Sequence, residues 1–155
     1  MPAFRSKNLR SGDLAEQLGF LLLQSVVLVA PVPRTDDVGI DVVCTLLRTF
    51  DSKRWIAEDS FFVQIKSASV PLISFKKEEV KWLYDLDLPF FIASADRKLG
   101  LVKLYCAHRL FDAFITNHDR KSLKIHLEED NSNDELVEKN DPNVKIGPPI
   151  LEWSL

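Results

Sequence analysis

Two apolar arms, separated by a polar bend, dominate the hydrophobic pattern of the chain. Residues 38–46 read Val-Gly-Ile-Asp-Val-Val-Cys-Thr-Leu and residues 61–67 read Phe-Phe-Val-Gln-Ile-Lys-Ser. Both are β-branched or aromatic with few breakers, which is the composition of strands. Side chains alternate between the two faces of a strand, so Gln64 and Lys66 point the same way, about 6.6 Å apart. Phe62 shares their face, while Phe61, Val63 and Ile65 take the other. Asp41 shares a face with Val43 and Thr45. An acid, an amide and an amine therefore sit on an apolar strand pair, where a buried charge is costly unless it is paired or binds something.

The remaining pattern predicts helices and strands in alternation. Leu14, Leu18, Leu21, Leu22 and Ser25 or Val26 follow helical spacing, with Ser11 as the expected N-cap and Asp13 in the first turn. Residues 26–33 are apolar but end in Pro31 and Pro33, which restricts them to an edge strand. The loop 34–37 leads to Gly39, and Asp36 and Asp37 are turn formers there. Residues 51–59 form a polar bend. Ser74 is the expected cap of a helix over 76–85, with Val80, Leu83 and Tyr84 buried. Residues 89–94 read as a buried strand, 96–100 as a turn and 101–107 as its hairpin partner. A short helix over 108–116 would bury Leu110, Phe111, Phe114 and Ile115. Residues 122–127 alternate as a half-buried strand. This order gives an α/β domain on a central mixed β-sheet flanked by helices.

Length and charge refine the picture. The 155 residues suffice for one domain with a real core. The expected division is a main domain over 1–128, an acidic loop or linker over 129–149, and a strand-like end over 150–155, docked or opening a further domain. The net charge of −3 is not uniform. Residues 128–141 hold seven acids against Lys139, leaving 19 bases and 16 acids elsewhere. The body is thus mildly basic, which permits nucleic-acid binding without a dense basic run to mark a groove. Cys44 and Cys106 lie far apart with no paired spacing, as expected of reduced thiols in a cytoplasmic protein. His108, His118 and His126 show no zinc spacing with them. The apolar run 20–33 is too short to span a bilayer and follows two acids, against export or a membrane anchor.

Gly39-Ile40-Asp41, followed by Gln64-Ile65-Lys66 with 23 residues from Asp41 to Gln64, resembles the core of the PD-(D/E)xK, or restriction-endonuclease-like, nuclease superfamily. In that family an Asp opens one strand, and a Glu, Asp or Gln stands two residues before a Lys on the next. A preceding helix often adds a Glu, and Glu16 occupies that place here. Gln64 departs from the commonest pattern, in which a carboxylate stands there. The resemblance spans residues 11–105 and implies a divalent-cation site. Asp41 would be the central ligand, joined by the Gln64 side-chain oxygen, the Ile65 carbonyl and Glu16, with Mg²⁺ or Mn²⁺ as cofactor.

Lys66 would orient or help deprotonate the attacking water. Arg5, Lys7, Arg10, Gly39, Lys53, Arg54, Ser67, Lys76 and Lys77 are the candidate contacts to nucleic acid. The implied activity is phosphodiester hydrolysis, with DNA as the expected substrate, in a prokaryotic defence or restriction system. A homodimer and a fused sensor or ATPase domain or subunit fit that context. The alternative is a catalytically silent module of the same fold that binds nucleic acid or a partner protein.

Overall fold

The computed structural model describes residues 7–33, 39–130 and 135–155, with side chains from residue 10 onward. Helix α1 (Lys7–Gln24) leads into β1 (Leu28–Pro31), β2 (Val42–Thr49) and β3 (Trp55–Ser67). There follow β4 (Leu72–Lys76), α2 (Glu78–Tyr84), β5 (Phe90–Asp96), β6 (Leu101–Cys106) and α3 (Leu110–Thr116). The chain ends with β7 (Ser122–Leu127), β8 (Asn143–Ile146) and β9 (Leu151–Ser154). Six strands form one mixed sheet in the order β1-β2-β3-β5-β6-β9, and β4-β7-β8 form a second. The domain is thus α/β, with a mixed sheet as its centre. Among the described residues, no helix is long and apolar enough to cross a membrane.

The large sheet is covered differently on its two faces. On one, Ala15, Leu22 and Leu23 of α1 pack on Val42, Cys44, Val63, Ile65, Ala93 and Val102. Gly19 lets the helix approach closely, since a Cβ there would lie 2.5 Å from Ile65 Cγ2. That contact rotates the buried stripe away from the one the large residues suggest: Leu21 and Val26 are exposed, and Ala15 and Leu23 are buried. Ser11, expected as a cap, lies inside the helix and accepts a hydrogen bond from Arg97 Nη1 at 3.2 Å. The other face carries the small sheet, α2 and α3, through Ile73, Phe75, Val80, Leu83, Leu123 and Ile125. Each such side chain withdrawn from water contributes about 1.5–3 kcal/mol.

One connection determines what faces the candidate site. Strands β3 and β5 pair in parallel, Gln64 opposite Ile92 and Lys66 opposite Ser94. Parallel neighbours cannot be joined by a tight turn and need a crossover of a dozen or more residues. Here that crossover contains β4 and α2, and it sets α2 over the Gln64 face. Ser74, expected to cap the helix, instead lies in β4 opposite Lys124. The residue preceding the helix is Lys77, at φ 49° and with no side-chain cap. The β4 alternation of exposed Leu72, Ser74 and Lys76 with buried Ile73 and Phe75 satisfies strand pairing better than an early helix start.

The acidic region contains structure of its own. Val137 is buried, and β8 runs parallel to β7 inside the stretch expected as a linker. Two buried arginines hold this region to α3. Arg120 donates to the carbonyls of Ala113, Glu138 and Asp141, and Arg109 to that of Glu135. At the chain end β9 pairs antiparallel with β6, so residues 151–154 join the large sheet. The Trp153 indole N–H also donates to Leu22 O at 2.9 Å. Two side chains expected inside α3, Phe111 and Ile115, are exposed, as is Tyr84 of α2; Ala113 takes the buried position on α3 instead.

Candidate functional site

Strands β2 and β3 diverge where the motif residues lie. Their ladder begins with Val42 opposite Val63, and β3 runs on four residues further, to Ser67. Beyond Val42 the side chain of Asp41 replaces a strand neighbour: its Oδ2 accepts the Ile65 N–H at 2.5 Å. Its own N–H donates to Val63 O at 3.0 Å, and its carbonyl accepts from Val32. Asp41 is thereby anchored at the fork between the strands, bonded to the two residues that flank Gln64. Charge-assisted bonds of this kind are among the stronger ones.

Gln64 is 7% exposed, and its Oε1 is a buried oxygen with no hydrogen-bond partner among the described residues. Buried polar atoms in folded proteins are almost always paired, and leaving one unpaired costs about 1–3 kcal/mol. Lys66, one alternation further on, is half-buried and makes no hydrogen bond or ion pair among the described residues. The Asp41–Lys66 bridge that would make both residues purely structural is therefore not formed. Gln64 and Lys66 open together into a recess of about 480 Å³.

The walls of this recess come from the crossover. Trp82, Glu78 and Glu79 of α2 and Ser74 of β4 line it opposite the β3 residues. Gly39 forms its rim at φ +88°, a conformation that residues with a Cβ adopt at a cost. A Cβ at Gly39 would sit 3.4 Å from the Trp82 ring, in a space that glycine leaves open. Glu79 is held in place, because its Oε2 accepts the Lys76 N–H at 2.8 Å.

The expected site residues thus separate into groups. Gly39, Gln64 and Lys66 share one recess, with Asp41 anchored to the residue between the last two. Glu16 is half-buried on α1, and that helix packs on the Val63 and Ile65 face, away from Gln64 and Lys66. Lys53 and Arg54 lie at the tip of the β2–β3 hairpin. From Gln64 that tip is ten residues along an extended strand, roughly 30 Å. Arg54 there pairs with Asp51 at 2.6 Å and stacks 5.0 Å over the Phe50 ring. Lys76 and Lys77 are exposed beside the recess, and the Ser67 hydroxyl lies 2.9 Å from that of Ser69. Arg10 is exposed on α1. Arg5 lies outside the described residues, as do Asp36 and Asp37, and the side chain of Lys7 is not described. The α2 acids were not signalled by any motif, because they reach the site only through the crossover.

Among the described residues, no group of three or more His, Cys, Asp or Glu side chains is placed to hold a metal ion. A cation here would rely on one or two carboxylates, the Gln64 amide oxygen and water. That donor set suits magnesium, which keeps several of its waters and binds through few protein oxygens. The unpartnered Gln64 Oε1 is the observation that makes the fit. Compared with protein-family models, curated proteins and solved structures, the chain matches none.

Proposed function

We propose that the chain is a divalent-cation-dependent nuclease with a restriction-endonuclease-like core, hydrolysing phosphodiester bonds in DNA. The observation that carries this reading is the Gln64 oxygen, buried and without a hydrogen-bond partner among the described residues, on the strand that also carries Lys66 and binds the Asp41 carboxylate. Asp41 and Gln64 would hold Mg²⁺ or Mn²⁺. When bound, the cation would neutralise charge on the pentacoordinate phosphorus and activate a water. Lys66 orients the attacking water and balances the negative charge on the phosphate oxygens. Water adds across the ester: its oxygen bonds phosphorus, the P–O bond to the leaving group breaks, and a proton ends on the departing oxygen. Lys76 and Lys77, exposed beside the recess, are placed to meet flanking phosphates. A cytoplasmic defence or restriction role, pairing of two copies for double-strand cutting, and a sensor or ATPase partner follow from the resemblance.

The test is nicking of supercoiled plasmid with Mg²⁺, Mn²⁺ or EDTA, by wild type and Lys66→Ala. Metal-dependent nicking lost in the variant is the expected outcome. Undiminished cleavage by folded Lys66→Ala would sink the assignment. A second reading, a silent nucleic-acid-binding module, draws support from the absence of a three-acid group among the described residues. It predicts salt-sensitive DNA binding with no cleavage under any metal.

A further inference from the structure

The motif strands leave the site short of negative charge. Gln64 stands where a carboxylate would serve a cation best, and it supplies only a neutral oxygen. Glu16 lies on the helix that covers the opposite face of the sheet. The recess, however, receives acid from a different element. Glu78 and Glu79 both line it, across from Gln64 and Lys66.

The two acids are not equivalent. Glu78 also borders a neighbouring recess formed with Lys77, Lys81 and Arg120. Glu79 belongs to the Gln64 recess, one helical turn before Trp82, whose ring closes on Gly39. Its Oε2 accepts the Lys76 N–H, and among the described residues Oε1 has no hydrogen-bond partner. Asp41 Oδ2 likewise accepts a backbone N–H, that of Ile65 across the fork. Anchored through Oε2, the Glu79 carboxylate loses little freedom when Oε1 takes a ligand. The independent sign of a missing ligand is the Gln64 Oε1, buried and without a partner among the described residues, on a side chain that lines the same recess.

We infer that Glu79 supplies a carboxylate ligand to the divalent cation held at Asp41 and Gln64, replacing the charge that Gln64 lacks. The inference rests on the proposed cation site and adds to it the residue that makes the site sufficiently anionic. Hard cations gain affinity with ligand charge, so the neutral amide and the acid from α2 act as a compensating pair.

The test is titration of Mn²⁺ into the purified full chain, read by calorimetry and by electron paramagnetic resonance of free Mn²⁺. Wild type is compared with Glu79→Gln, Glu78→Gln and Glu16→Gln. Glutamine keeps an acceptor for the Lys76 N–H while removing the charge. The expected result is a loss of affinity of about tenfold or more for Glu79→Gln and less than about twofold for the others. Gln64→Glu added to Glu79→Gln should restore binding, which a merely structural role for Glu79 would not produce. Wild type that binds no Mn²⁺, Glu79→Gln that binds as wild type, or a larger loss in either other variant overturns the inference. So does failed rescue with a lowered melting temperature in EDTA. Binding through Glu79 without plasmid nicking would retain this inference and remove the nuclease reading. Nicking with Mn²⁺ affinity unchanged in Glu79→Gln would do the reverse.

Discussion

Asp41 Oδ2 accepts the Ile65 N–H just before β2 begins, where its partner strand β3 runs on. The carboxylate therefore has a structural task beside any chemical one, and the two separate by substitution. Asp41→Asn keeps an oxygen for the Ile65 N–H and removes the charge, whereas Asp41→Ala leaves the donor unsatisfied. Asp41→Ala should cost about 1–3 kcal/mol in urea unfolding, and Asp41→Asn clearly less. Both should lose cleavage and Mn²⁺ binding. Equal stability of the two variants would show that the bond contributes nothing to the fold.

Gln64 offers the opposite trade. Its oxygen is buried without a partner, so replacing the amide by an apolar side chain of similar size removes a cost. Gln64→Met should stabilise the metal-free protein by about 1 kcal/mol, seen as a raised melting temperature in EDTA. The same variant should no longer gain stability from Mn²⁺. A variant less stable than wild type in EDTA would mean that the oxygen is satisfied in solution.

Arg120 holds the acidic segment to the body of the domain. It is 6% exposed and donates to three backbone carbonyls, with Thr116 Oγ1 as a further acceptor. Burial lowers the guanidinium pKa, and Asp141 partly restores it. Arg120→Ala should cost about 2–4 kcal/mol, since it leaves buried acceptors unpaired. Hydrogen exchange should rise first over 135–146. Exchange unchanged there would show that β8 alone holds the segment.

The two thiols differ in burial, and the difference should be visible at alkaline pH. Cys44 is buried, which pushes its pKa up to about 11 from 9.0; Tyr105, also buried, rises to about 12. Both pKa values are raised in the native state, so the unfolded chain releases these protons first. Stability should hold below about pH 9 and fall above it, by at most about 1.4 kcal/mol per pH unit for each proton. Urea titrations at pH 8 and pH 10.5 measure this, and Cys44→Ala should flatten part of the decline. A thiol reagent at pH 8 should label Cys106, which is only half-buried and lines an apolar groove with Phe111, well before Cys44.

The hairpin at the centre of the site was legible because alternation on two long apolar arms leaves little freedom. Once Val63 and Ile65 face α1, Gln64 and Lys66 must face away. The stripe on α1 was misread because large residues dominate a periodicity count. The contact is made by Ala15 and by the absence of a side chain at Gly19, which such a count passes over. Strand β8 was hidden by the acids around it, although Val144 and Ile146 alternate within it as a strand should. Glu79 could not be placed from local pattern at all. Its position depends on β3 and β5 pairing in parallel, a relationship between segments more than 20 residues apart.

That parallel pairing also governs when the recess can exist. The β2–β3 hairpin closes a short loop and can form from neighbouring residues alone. The Trp82 and Glu79 wall takes its place only after β5 has docked beside β3 and the intervening crossover has been ordered. A partly folded chain can thus carry Asp41, Gln64 and Lys66 on an open hairpin and still have no enclosed recess. Cation affinity would then report completion of the whole domain, and a nascent or damaged molecule would be inert before it was unfolded.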